Sequence, residues 1–226
     1  LKSTNGGLTF TENTALPSDT SRLEIGVSPA NSNYVYVLAS TSDNRFGGLY
    51  RSTNSGDNFT LRSSSPNIMG YSVDSTAYTD DAGQAWYDLA IAVSPLDANT
   101  VFTGGVNIWK STNGGTDWMP VTNWYVDPNY QYTHADIHYL GFYGNRFYCG
   151  SDGGVFVSDD YGDTWTISFW MGPGPMFSVP MDLKPSPTLV MTTHSIVPIR
   201  AAEYCAPTMA EIISITSILR DRKVPG

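Results

Sequence analysis

The chain has 226 residues, enough for one large or two small domains, with a net charge of −9 and a pI near 4.5. That balance lacks the basic footprint a nucleic-acid partner requires and disfavours anionic membrane surfaces. No run approaches the roughly 20 apolar residues of a membrane span, so membrane insertion is not expected.

Aromatic residues make up 13% of the chain and charged residues only 15%, with 21 Gly and 14 Tyr. Aromatic side chains suit a pleated, half-buried surface, and Gly, Asn and Asp supply turns. The composition therefore favours strands over helices. Two cysteines, Cys149 and Cys205, make no disulfide framework. Cys149 lies in the strand-like run Arg146-Phe147-Tyr148-Cys149 and is expected to be a small buried hydrophobe.

The first element is a box, Ser3-Thr4-Asn5-Gly6-Gly7-Leu8-Thr9-Phe10. Its frame is Ser-x-(Asn/Asp)-x-Gly-x-x-(Trp/Phe), carried here by Ser3, Asn5, Gly7 and Phe10. The frame returns with Ser52, Asn54, Gly56 and Phe59, then with Ser111, Asn113, Gly115 and Trp118, and last with Ser158, Asp160, Gly162 and Trp165. The serines are spaced by 49, 59 and 47 residues. The third residue can close a turn through its side chain, and Gly at the fifth accepts positive φ. The aromatic at the eighth is expected to anchor the returning strand in the core.

Between boxes the same order of strands recurs. First strands are expected at Leu23 to Val27, Trp86 to Val93 and Ile137 to Phe142. Second strands are expected at Tyr34 to Ala39, Thr100 to Thr103 and Arg146 to Cys149. Third strands are Gly48 to Arg51, Asn107 to Lys110 and Gly154 to Val157, each running into a box. Fourth strands are Phe59 to Arg62, Trp118 to Val121 and Trp165 to Ser168. Four antiparallel strands per period of about 50 residues make an all-β fold, a β-propeller of four-stranded blades. The expected units are a partial blade at 1–16, blades at about 21–62, 86–122 and 134–168, and a partial blade at 176–194. The tail at 195–226 does not continue the repeat and reads as a linker or an aberrant end. About four blades are present, either closing a small ring or, as expected here, forming a fragment of a larger one.

These boxes resemble the Asp-box (BNR) repeats of sialidase-like and sortilin-like propellers, and Ser94-Pro95-Leu96-Asp97-Ala98-Asn99 resembles a turn of that superfamily. Gln84-Ala85-Trp86-Tyr87-Asp88-Leu89-Ala90 and His134-Ala135-Asp136-Ile137-His138 resemble large secreted bacterial Asp-box proteins with C-terminal sorting domains. The resemblance covers about residues 1 to 168. It implies a secreted or cell-surface location and a fold shared by sialidases, xyloglucan-type hydrolases and non-catalytic receptors, so function must come from a site. A sialidase is disfavoured, because that family's Arg-Ile-Pro signature is missing.

Strand parity puts the boxes and the first-to-second turns on one face of the ring, and the longer loops on the other. Those loops, at 40–47, 63–85, 122–133 and 150–153, are where binding residues collect on a rigid scaffold. Asp88, Asp136 and Asp152 are the candidate catalytic carboxylates, and a hydrolase would need two of them flanking the scissile bond. Trp86, Tyr87, Trp124 and Tyr125 offer aromatic faces for sugar stacking. His134, Asp136 and His138 alternate along an expected strand and would point one way. Three ligands on one short strand close poorly around an ion, so no metal and no cofactor is expected, and His134 and His138 are read as ligand-binding. The reading is a carbohydrate-associated module, glycan-binding or glycoside-hydrolase-like, with a polysaccharide or glycoprotein glycan as partner. The alternative is a non-catalytic protein- or peptide-recognition or adhesion propeller.

Overall fold

The computed structural model describes residues 1–13, 15–74 and 82–170. The expected partial blade at 176–194, the tail at 195–226 and Cys205 lie outside the described residues. Within them the chain is all-β and builds three four-stranded antiparallel sheets, each in sequence order. The first sheet is β1 (Leu23–Val27), β2 (Val35–Ser40), β3 (Phe46–Ser52) and β4 (Thr60–Ser63). The second is β5 (Ala90–Val93), β6 (Val101–Gly104), β7 (Ile108–Ser111) and β8 (Met119–Pro120). A short parallel pair, β9 (Thr122–Asn123) with β10 (Gln131–Tyr132), follows. The third sheet is β11 (Ile137–Tyr143), β12 (Arg146–Ser151), β13 (Gly154–Ser158) and β14 (Thr166–Trp170).

The first strands β1, β5 and β11 lie side by side in that order, so the sheets fan out as successive blades of a β-propeller. Alternation along each strand then points side chains to the neighbour on either side. Leu89, just before β5, and Ile91 and Val93 on it pack toward the first blade with Tyr36, Leu38, Leu49 and Trp109. Ala90 and Ala92 pack toward the third blade with Phe102, Ile137, Phe147 and Phe156. Cys149 is a buried free thiol in this second cluster, and burial pushes it well above the usual thiol range.

All four boxes close by one hydrogen-bond pattern. In box three the Gly115 N–H donates to Ser111 Oγ (2.8 Å), the Ser111 hydroxyl donates to Asn113 Oδ1 (3.0 Å), and the Asp117 N–H donates to the same Oδ1 (3.0 Å). The equivalents are Ser3 with Asn5, Ser52 with Asn54, and Ser158 with Asp160. A box also clasps the blade before its own. Arg62 donates to the carbonyls of Gly114 (2.9 Å) and Asn113 (3.1 Å), and Ser63 Oγ to that of Gly115 (2.6 Å). Gly115 sits at φ +82°, where a Cβ would fall 2.0 Å from Leu49 Cδ2. Glycine is thus required twice over, by conformation and by contact.

Three expectations are corrected. The box aromatic is a core anchor in Trp118 and Trp165, but Phe59 is only half-buried and Phe10 is 59% exposed. The hydrogen bonds of a box are local, whereas burial of its aromatic needs a blade beneath it, and among the described residues none covers Phe10. The first strand of the second blade begins at Ala90, and Ala85–Tyr87 form a turn instead. The loop after β4 is less open than its length implies, because Ile68 and Met69 plug into the first core cluster.

Candidate functional site

The loop face between the second and third blades brings Asp88, Asp136 and Asp152 together through long-range hydrogen bonds. Each carboxylate is positioned by a different device. Asp88 follows the turn at Ala85–Tyr87, where the Asp88 N–H donates to the Gln84 carbonyl (3.2 Å). Asp136 precedes β11 with φ +64°, a left-handed conformation that Asp tolerates better than most residues. Asp152 occupies the tight turn between β12 and β13, and its N–H donates to the Asp136 carbonyl (3.2 Å).

Gln84 joins the first two. Its Nε2 donates to Asp88 Oδ2 (3.0 Å) and to Asp136 Oδ1. One shared nitrogen holds those oxygens no more than two hydrogen bonds apart, about 6 Å. Asp88 is 1% exposed, and burial, reinforced by the Asp136 charge and opposed by the Gln84 hydrogen bond, pushes its pKa up to about 7.

The exposed Asp152 takes the other half of the cluster. It accepts from the Tyr87 hydroxyl at Oδ2 (2.8 Å) and pairs with His138 Nε2 at Oδ1 (3.0 Å). The Tyr87 and His138 rings meet edge to face at 4.8 Å. The hydrogen bond to Asp152, together with partial burial and the surrounding carboxylates, raises the Tyr87 phenol to about 12. Trp86 stands beside Tyr87 with its ring centroid 5.5 Å away and is largely exposed. Arg22, whose charge reaches Asp88, is engaged by Glu24 (2.8 Å) and the Tyr87 carbonyl (3.1 Å).

His134, Asp136 and His138 do not line one side of a strand. Only His138 lies within β11, and it is the extra residue of a bulge, with Ile137 opposite Ser151 and Tyr139 opposite Gly150. Bulges re-aim side chains, and this one turns His138 to Asp152. The left-handed Asp136 breaks the alternation before it. His134 instead packs on the third-blade turn, where a Cβ on Gly153 would meet its ring at 2.2 Å, and His134 Nδ1 lies 3.1 Å from the Ala135 carbonyl. Among the described residues no group of three or more His, Cys, Asp and Glu side chains is arranged to hold a metal ion.

Trp124 and Tyr125 lie farther out on the same face. The Trp124 N–H donates to Asn107 Oδ1 (2.9 Å), and Trp124 Nε1 donates to the Tyr71 carbonyl (3.2 Å). Tyr71 carries the link inward, because its hydroxyl donates to Gln84 Oε1 (3.4 Å). Gln84, Tyr71 and Asn107 escaped the sequence reading. Uncharged side chains in turns carry no pattern, and only the proximity of Gln84 to the Trp86-Tyr87-Asp88 run hinted at it.

No protein-family model and no curated protein matches the chain. Solved structures with a similar fold include YCF48 bound to D1 peptide, at 14% identity over 69% of this chain and 43% of that one, with a TM-score of 0.43. The GH74 enzyme of Niastella koreensis is similar at 21% identity over 66% and 22% of the two chains, with a TM-score of 0.42. The GH74 xyloglucanase of Xanthomonas campestris is similar at 18% identity over 66% and 23%, also with a TM-score of 0.42. The chain spans less than half the length of each of these proteins.

Proposed function

We propose that this chain is part of a secreted or surface-exposed Asp-box propeller that binds glycans on its loop face, between the second and third blades. One observation carries the reading. Tyr87, held by Asp152 and edged by His138, presents a ring beside the exposed Trp86, with carboxylate acceptors on the same patch. Sugar rings offer an apolar face and a rim of hydroxyl donors, and this patch offers an aromatic face and a rim of acceptors.

Binding is favoured over hydrolysis by the position of the acid. Asp88 has the raised pKa of a general acid, and the shared Gln84 nitrogen keeps its Oδ2 within about 6 Å of Asp136 Oδ1, no farther than carboxylate pairs of hydrolases stand apart. However, it is buried, and the Gln84 amide occupies the space a glycosidic oxygen would need. Asp88 and Gln84 therefore serve to fix Asp136, and Asp152 meets the ligand. Protein or peptide recognition is the second reading, favoured by the exposed run Trp124-Tyr125-Val126.

The test is a glycan array with the intact chain and Asp152→Asn. Hydrogen bonds to a charged group contribute about 1.5–3 kcal/mol, so the variant is expected to bind at least about tenfold more weakly. A flat array, or binding indifferent to Asp152→Asn, sinks the proposal. Release of reducing sugar that Asp88→Asn abolishes would restore the hydrolase reading.

A further inference from the structure

We infer that Trp124 and Tyr125 form a second, pre-organised stacking subsite, so that the loop face grips an internal stretch of a neutral polysaccharide chain. The inference rests on the glycan reading above and extends it from one sugar position to a row of them.

Three observations carry it. First, the platform is fixed. Asn107 is fully buried, and both ends of its amide are used, Oδ1 by the Trp124 N–H and Nδ2 by the Tyr71 carbonyl (3.2 Å). The Tyr71 carbonyl also accepts from Trp124 Nε1, so the indole is pinned at its backbone and at its edge. The Tyr125 N–H is held by Asn123 Oδ1 (3.1 Å). Second, the pinned indole and the Tyr125 ring set edge to face against it (centroids 6.1 Å apart) are still open, with Trp124 42% and Tyr125 69% exposed. Because the indole N–H is already satisfied, the ring has only its face to offer, which is how a pyranose is gripped. A side chain held in its binding geometry loses little entropy when a ligand arrives. Third, the platform is continuous with the Asp136 and Asp152 cluster. Tyr71 bridges them, bonded to Trp124 at its carbonyl and to Gln84 at its hydroxyl.

Charge narrows the ligand class. Asp136 and Asp152 border the surface, Asp88 lies behind it, and the nearby Arg22 is committed to Glu24 and Tyr87. Acidic sugars would meet these carboxylates, so a neutral chain is the fitting occupant.

The probes are neutral oligosaccharide ladders, cello-, xylo- and N-acetylchito-, from disaccharide to hexasaccharide, titrated calorimetrically into the intact chain. At least one hexasaccharide should bind about tenfold more tightly than its disaccharide, the gain from a second stacked sugar. Trp124→Ala should abolish that gain and leave the disaccharide affinity unchanged. Trp124→Phe, which keeps a ring face and loses the bond to Tyr71, should retain most of it. Equal affinity for short and long oligomers, or a Trp124→Ala loss shared by both, overturns the second subsite. If binding stays sensitive to Asp152→Asn, the first subsite stands. Failure of every ladder to bind, with Trp124-dependent binding of a peptide library instead, overturns both.

Discussion

On the turn face, the side-chain hydrogen bonds that close each box reach partners no more than 4 positions away, and the pattern occurs four times over. On the loop face, the bonds that matter join residues 52 and 65 positions apart, Gln84 with Asp136 and Tyr87 with Asp152, and each occurs once. The first face is a repeated local solution to closing a hairpin. The second exists only after two blades have been brought together. Scaffold chemistry is therefore redundant in this protein, and site chemistry is singular.

Three sets of measurements can break or sharpen that contrast. The largest effect is expected from Trp118→Ala, which empties the core between the first and second blades. Removal of a buried Trp costs about 3–5 kcal/mol, whereas Phe10→Ala, at an exposed box aromatic, should cost under about 0.5. Chemical denaturation measures both, and equal losses would refute the dependence of the box aromatic on a neighbouring blade.

Next is Asp88→Asn. The Asp88 pKa is raised in the folded state, from an unperturbed 3.8 to about 7, so the folded chain holds a proton that the unfolded chain releases. Stability should be full below about pH 4, fall as pH rises toward 7, and level off above it. At about 1.4 kcal/mol per unit the fall is of order 4 kcal/mol. The Asn variant should flatten that slope, as urea midpoints across pH 4 to 8 would reveal. An unchanged slope would mean that Asp88 is ionised in the folded chain.

Smaller effects are expected at the box serines. Ser111→Ala leaves the Gly115 N–H without its acceptor in a buried turn and should cost about 1–3 kcal/mol. Ser3→Ala makes the same deletion where water can substitute and should cost less than about 1 kcal/mol. Neither should alter ligand binding on the loop face, and a binding defect in Ser111→Ala would show that the two faces are coupled.

The repeated face was legible in the sequence because its determinants are adjacent. Ser, Asn or Asp, and Gly at fixed offsets specify a turn before any tertiary contact exists, and the strands fell within a residue or two of their expected bounds at most ends. The loop face was legible only in part. Strand parity brought Asp88, Asp136 and Asp152 to one face, and the three do meet there. Their partners were not visible, because Gln84 and Tyr71 act through contacts that no spacing rule encodes. The His134 pattern misled because alternation presumes an unbroken strand. A left-handed Asp136 and a bulge at His138 interrupt it, and the bulge re-aims His138 toward Asp152.

The clasp of Arg62 and Ser63 on box three has a consequence for how the chain opens. A repeat read from the sequence ends at a box, but the piece of structure that holds together runs past it, from one blade into the turn of the next. The cooperative unit is thus out of phase with the repeat. Amide exchange at Gly115 should follow the first blade as closely as the second, and partial opening should release a blade with its neighbour's turn still attached.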